Sequence, residues 1–324
     1  MSNKIISIKK RKALHLKYAM DEESQTGSNG LEVVRLPYRA LPEESLEEID
    51  LSTSLFGKKI GAPFFISCMT GGPQKASVIN ERLAKAAQKF RIPMGLGSLR
   101  IVLKHPEVLP TFQIRKWAPD IPILANIGAV QLNYGLGWKD CQKVVDLVEA
   151  AALVLHMNPL QEALQLGGDT NFKNLLPKIA EVVKRVSVPV IAKEVGHGIN
   201  YQTALQLAKV GVQIVDTAGV GGTSWAWIEA KIAGEEQNAQ MFKDFGLSTY
   251  ESILECKKVE GLTVWGSGGI RTGVDIAKVL HLGCEMAGLA WPFLLAALKS
   301  EEAVEGLVER LMGVLRVARF VGDA

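Results

Sequence analysis

The residues best suited to chemistry lie in short polar and glycine-rich segments. Gly266-Ser267-Gly268-Gly269-Ile270-Arg271 follows an apolar run and opens a helix, so its backbone N–H groups and the positive helix end can face a phosphate. Glycine lets the backbone come close there, and Arg271 adds a charge-assisted bond. A tight strand-to-helix turn would use the same residue types. Farther along, Gly288-Leu289-Ala290 precedes a helix that begins near Trp291. Six further segments carry hydrogen-bonding or ionisable groups: Met69-Thr70-Gly71-Gly72, Gly97-Ser98-Leu99-Arg100, Asn126-Ile127-Gly128, His156-Met157-Asn158-Pro159-Leu160-Gln161-Glu162, Lys193-Glu194-Val195-Gly196-His197-Gly198 and Gly221-Gly222-Thr223-Ser224.

Every one of these segments ends or follows a short apolar run. Eight such runs occur: Phe64–Cys68, Met94–Gly97, Ile123–Ile127, Val154–His156, Val190–Lys193, Ile214–Asp216, Val264–Ser267 and Ala287–Leu289. Between them lie stretches with apolar residues at helical spacing: Val78–Phe90, Cys141–Ala150, Leu175–Val186, Tyr201–Lys209, Tyr250–Lys258 and Val274–His281. The alternation predicts repeated β-α units around a parallel sheet. The count of eight predicts an α/β fold of the (β/α)8 TIM-barrel type over residues 63–324, with a doubly wound sheet as the alternative. In a parallel barrel all strand carboxyl ends face one rim, so the polar segments converge on one mouth. That convergence is the main argument for an enzyme, and loops after strands seven and eight are where many barrels hold phosphate. Residues 1–62 show no strong strand alternation, and Glu22–Gly30 is polar and Gly-rich. They are expected to form an N-terminal arm that packs on or caps the barrel.

Composition narrows the partners. A chain of 324 residues with 48% hydrophobic content can bury one large core. A formal charge of +3 without a basic tract argues against nucleic acid. No apolar stretch reaches bilayer length and no signal-like h-region follows Met1, so a cytoplasmic protein without membrane insertion is expected. Cys68, Cys141, Cys256 and Cys284 lie far apart, as buried reduced thiols would, with no zinc-ligand spacing.

The chain resembles the type 2 isopentenyl-diphosphate isomerases, the FMN-dependent form, along nearly its whole length. The matching residues are Arg11-Lys12 with His15, Met69-Thr70-Gly71-Gly72, Gly97-Ser98 with Arg100, Asn126-Ile127-Gly128, the His156 to Glu162 segment, Lys193-Glu194-Val195-Gly196, Gly221-Gly222-Thr223-Ser224 and Gly268-Gly269-Ile270-Arg271, in the family's order. H-x-N-x-x-Q-E with M-T-G-G is fairly specific to that family, whereas K-E and G-G-I-R recur in other FMN barrels. The resemblance implies a flavin site built from Met69, Thr70, Gly71, Ser98, Asn126, Lys193, Thr223, Gly268, Gly269, Arg271, Leu289 and Ala290. Lys193 would place an ammonium beside the pyrimidine side of the ring, where reduced flavin carries negative charge. A pairing of Lys193 with Glu194 or another acid is the plainer alternative. The resemblance further implies a small-molecule diphosphate substrate clamped by Arg11, Lys12, His15, Ser98, Leu99, Arg100, His156 and Gln161, with Glu162 as the Mg2+ carboxylate. Gln161, Lys193, His156 and Glu229 are the implied catalytic groups. The implied reaction is a 1,3-proton shift between isopentenyl and dimethylallyl diphosphate, in isoprenoid biosynthesis, with reduced FMN as acid and base and NADPH only as its reductant. A homo-oligomer, tetramer or octamer, is implied as well.

Three features depart from the family pattern. Leu99 stands where Gln is frequent, Trp291 stands where Arg commonly follows Ala, and the chain stops soon after its last helix. An indole cannot replace a guanidinium at a phosphate, so Arg271 and backbone are left to hold it. Two other readings compete. An FMN-dependent 2-hydroxy-acid oxidoreductase would need a histidine base, for which His197 is the nominee, and a non-catalytic FMN-binding barrel would share the fold without the chemistry.

Overall fold

The computed structural model describes residues 8–69, 71 and 74–322. Ten strands are present in it: a hairpin, β1 (Thr53–Leu55) and β2 (Lys58–Ile60), then β3 (Phe64–Ile66), β4 (Met94–Gly95), β5 (Ile123–Gly128), β6 (Ala152–His156), β7 (Val190–Lys193), β8 (Ile214–Asp216), β9 (Thr263–Ser267) and β10 (Met286–Leu289). From β3 to β10 the strands close into a parallel barrel, β10 pairing with both β3 and β9. The eight apolar runs thus become the eight barrel strands, with ends displaced by at most two residues. Each predicted helix is present too, among them Gln74–Phe90, Leu175–Arg185 and Gly273–His281.

The period-two geometry of a strand decides where each side chain goes. Phe65, Leu124, Ala152, Val154, Ile191, Ile214, Trp265 and Met286 point inward and fill the barrel. Phe64, Ile66, Ala125, Val190, Ala192, Val215, Ala287 and Leu289 point outward into the layer packed under the helices. Continuing the inward phase to the carboxyl ends brings up Ser67, Asn126, His156, Lys193, Asp216 and Ser267. An apolar floor therefore carries a polar layer at its top.

The opposite end of the barrel is closed by the hairpin. Leu55 and Ile60 join the interior cluster, and the Phe56 ring lies 6.1 Å from Trp265. This hairpin was not expected from the sequence, because two three-residue strands with one buried residue each are too short to show a period. Residues 8–62 have no core of their own: Leu31, Val34 and Leu51 are buried in the same cluster as the barrel's helices. The arm also meets the last helix, Glu301–Val321, where Arg39 Nη2 donates to the carbonyls of Arg319 (2.7 Å) and Phe320 (3.0 Å). Among the described residues no helix is long and apolar enough to cross a membrane.

Trp265 is fully buried against Phe65, 4.9 Å between ring centroids, and against the hairpin. Trp265→Ala is expected to cost about 3–5 kcal/mol, the range for truncating a buried large aromatic. Urea unfolding of the two proteins checks it, and a loss below about 1 kcal/mol would show that the hairpin does not seal the barrel.

Candidate active site

The polar layer forms the floor of a cavity walled by the carboxyl-end loops and by one face of the helix Ile8–Ala19. Its chemistry divides into two ends and a middle.

One end brings together glycine backbone, an arginine and a helix start, groups that could hold a phosphate. The loops after β8 and β9 touch backbone to backbone: a methyl on Gly222 would sit 2.7 Å from the Gly269 nitrogen, and one on Gly268, at φ +106°, 2.2 Å from the Gly219 carbonyl oxygen. Only glycine fits that contact. Arg271 reaches the same spot, its guanidinium 4.9 Å from the Trp291 ring centroid, and burial lowers its pKa to about 10, so it stays charged at neutral pH. Trp291 thus stacks on the guanidinium instead of replacing one. The helix Gly273–His281 spends its first turn on itself: Asp275 accepts from the N–H groups of Arg271 (3.0 Å) and Thr272 (2.9 Å), and Thr272 caps in return. A different helix, Trp291–Lys299, has no side-chain cap, and Ala290, Trp291 and Gly288 line the cavity at its start. The sequence reading put the phosphate at the first helix; there Asp275 takes the N–H groups of Arg271 and Thr272, and the start of the second helix, open to the same cavity, is a further place for it.

In the middle, Lys193 Nζ lies 3.1 Å from Asp216 Oδ2, with both side chains almost fully buried. Asp216 Oδ1 accepts the Ser267 hydroxyl. The lysine's partner is therefore Asp216, not Glu194, whose Oε2 instead collects the N–H groups of Val195, Gly196 and His197 at 2.6 to 2.7 Å. Burial raises the Glu194 pKa against the pull of His197 and those three bonds. Asn126 Oδ1 lies 2.8 Å from His156 Nδ1, which fixes the ring. Cys68 sits beside them with its thiol pushed up to about 11 by burial, so it is no nucleophile at neutral pH.

The far end carries cations and acids. Arg11 Nη2 donates to the Leu166 carbonyl (2.8 Å), and Arg100 Nη1 binds Asp169 Oδ2 (2.7 Å) and Gln131 Oε1 (2.5 Å). Glu162 is buried: Oε1 accepts from Asn158 (3.1 Å), Oε2 from Gln165 (3.0 Å) and the Asp169 N–H (2.7 Å). Burial raises its pKa, opposed by those bonds and Arg100 and reinforced by Asp169. Gln161 has a defined orientation, accepting from Asn158 (3.0 Å) and donating to Glu229 Oε1 (3.0 Å). His15 Nε2 meets the same Glu229 oxygen at 2.7 Å and stands edge-on to Trp225. Among the described residues no group of three His, Cys, Asp or Glu could hold a metal by itself. A buried carboxylate paired with an incoming diphosphate suits Mg2+, which keeps waters and takes one or two protein acids.

Of the residues singled out in the sequence, the cavity gathers Arg11, His15, Met69, Gly71, Ser98, Arg100, Asn126, His156, Gln161, Glu162, Lys193, Thr223, Gly268, Gly269, Arg271 and Ala290. Glu229 lies one layer behind, reached through Gln161 and His15. Leu99 and Leu289 are not brought to the cavity. Leu99 is fully buried in the helix layer, and Leu289 is in the outward phase of β10. Thr70 and the side chain of Lys12 lie outside the described residues. His197 does not line the cavity either; its Nδ1 is 2.6 Å from the Phe245 carbonyl oxygen. That position takes the histidine nominated as base for a 2-hydroxy-acid oxidoreductase away from the cavity. Sequence reasoning missed Asp216, Gln131 and Asp169. Asp216 had a signal, since it is in phase with inward Ile214 on the strand next to Lys193; the other two had none.

Comparison with known proteins bears on the same residues. Residues 137–318 match the family described as FMN-dependent dehydrogenase. Proteins named isopentenyl-diphosphate delta-isomerase are similar over most of the chain. The one from Synechococcus sp. is 46% identical, covering 98% of this chain and 93% of its own. That from Rickettsia bellii is 47% identical, covering 95% and 92%. Among solved structures, a flavocytochrome b2 mutant with sulfite bound superposes with a TM-score of 0.68 at 18% identity, covering 96% of this chain and 78% of that one. A mandelate oxidase mutant gives 0.59 at 16%, covering 92% and 88%. At these identities the two structures share the fold.

Proposed function

The chain belongs to the isopentenyl-diphosphate delta-isomerase family, and from that premise we infer that it is the FMN-dependent enzyme interconverting isopentenyl and dimethylallyl diphosphate by a 1,3-proton shift. One observation supports this most: a single cavity puts a glycine-cradled phosphate site at one end, a buried Lys–Asp pair in the middle, and two arginines with a buried glutamate at the other. The glycine cradle and the charged Arg271 fit the FMN phosphate. Asn126 and Ser98 would take the polar edge of the ring, and Met69 and Gly71 would line its pocket. When bound and reduced, FMN supplies an electron-rich ring that can act as acid and base and stabilise a tertiary carbocation.

The protein's own groups do the rest. Lys193, held by Asp216, puts a positive charge in the floor of the cavity, where it offsets negative charge gathered above it. Arg11, His15 and Arg100 clamp the diphosphate, Arg100 exchanging Asp169 for phosphate oxygens. Glu162 would be the carboxylate that holds Mg2+, which would neutralise charge on the diphosphate. Gln161 orients the alkene, and its geometry is set by Asn158 and Glu229. His156, locked by Asn126, donates to the diphosphate. A cytoplasmic homo-oligomer belongs to the same reading; Tyr38 and Leu41, 76% and 77% exposed, leave apolar surface for a subunit contact.

The decisive assay uses FMN, Mg2+ and a limiting amount of NADPH. Isomerisation involves no net redox change, so many turnovers per NADPH are expected, from a particle several times 35.2 kDa in size. One NADPH consumed per product would make the protein an oxidoreductase. Bound flavin without product would make it a binding module.

A further inference from the structure

Between its substrate helix and its first buried anchor, the arm crosses the phosphate end of the cavity. Gln25 and Thr223 form an antiparallel bridge; on either side the Thr26 N–H donates to the Gly222 carbonyl (2.7 Å) and the Ser224 N–H to the Ser24 carbonyl (2.8 Å). This seats the Gln25 amide on the two side chains best placed to grip a phosphate. Its Oε1 accepts from Arg271 Nη2 at 2.6 Å, and its Nε2 donates to Thr223 Oγ1 at 3.0 Å. The polarity matters. A hydroxyl whose oxygen already accepts from an amide turns its own proton elsewhere, and a guanidinium held at one corner keeps its remaining N–H groups in a fixed plane. Thr223 and Arg271 both line the cavity, so both are left presenting donors to it.

We propose that Gln25 is a positioning residue for the cofactor phosphate, setting the donor polarity of Thr223 and Arg271 from the arm, so that a flavin is held tightly only if it is phosphorylated and only while the arm is docked. The inference rests on the FMN reading of the cavity and adds to it a residue outside the barrel. It also joins the two ends of the site. The arm that carries Gln25 carries Arg11 and His15 on its helix, so seating a phosphate stabilises the substrate clamp, and a bound diphosphate must in return tighten the flavin.

Apoprotein is titrated with FMN and with riboflavin, which has the same ring and no phosphate, following quenching of flavin fluorescence. For Gln25→Ala we expect the FMN Kd to rise about tenfold and the riboflavin Kd to stay within about twofold. Gln25→Glu keeps the acceptor for Arg271 but loses the donor to Thr223 and adds a negative charge, so a rise of about a hundredfold for FMN alone is expected. In wild type, FMN but not riboflavin should slow tryptic cleavage after exposed Lys17, and Gln25→Ala should lose that difference. Equal weakening of both flavins would mean that Gln25 only holds the arm, and unchanged FMN affinity would remove it from the site; either result overturns the proposal. Failure of the FMN reading has a separate signature, seen before any variant is made: wild type binding FMN and riboflavin alike. Thermal melting of each apo variant separates loss of contact from loss of fold.

Discussion

Lys193→Ala is expected to lower turnover by about a thousandfold or more, roughly 4 kcal/mol of lost stabilisation, in enzyme supplied with reduced FMN. The ammonium is nearly fully buried and is the cation at the centre of the polar layer, in line with His156 and Asp216 on the neighbouring strands. Charge in a dry site acts at low dielectric, which is why one such group carries so much. The substitution also leaves Asp216, 1% exposed, as a buried carboxylate with Ser267 as its remaining partner. Breaking a buried pair on one side costs about 3–5 kcal/mol of stability, so inactivity alone would not separate chemistry from unfolding. The double variant Lys193→Ala/Asp216→Asn removes both charges and keeps a polar group for Ser267. Its stability should return towards wild type in urea melts while turnover stays down. Recovery of turnover together with stability would show that Lys193 serves the fold and not the reaction.

How much could be read from the sequence follows from what each feature depends on. The barrel was legible because a parallel sheet buried on both faces turns strands into apolar runs bounded by Gly and Pro, a signal contained within a few residues. Rim positions such as Lys193 and Asn126 were legible for the same reason: the polar residue that closes an inward phase sits near the carboxyl end of its strand. What was hidden joins distant segments. Gln25 meets Arg271 across 246 positions and His15 meets Glu229 across 214, and neither pair has a local pattern. Leu99 shows the opposite error. It lies between Ser98 and Arg100, which line the cavity, but the helix Arg100–Lys104 begins at that point and turns the leucine into the core. Adjacency in a motif is not adjacency in a pocket.

Glu162→Gln is expected to raise the Mg2+ concentration for half-maximal activity by more than tenfold and to flatten its pH dependence. The sign follows from burial. Glu162 has its pKa raised, chiefly because desolvation disfavours the carboxylate, and a divalent cation binds only the ionised form. In wild type, Mg2+ affinity should therefore be full above the raised pKa and fall as the pH drops through it, starting above the ordinary carboxylate range. For the apoprotein the linkage runs the other way. A carboxyl whose folded pKa is raised contributes stability when protonated at low pH and loses it as pH rises through the folded pKa. Ionising Glu162 thus works against the fold, and a cation drawn in with a diphosphate would offset that cost. A glutamine cannot bind the metal ionically and does not titrate, so both the high affinity and the acid-side loss should disappear together. An unchanged Mg2+ titration in the variant would take Glu162 off the metal. A shifted titration that kept the wild-type pH profile would show that the profile does not come from Glu162.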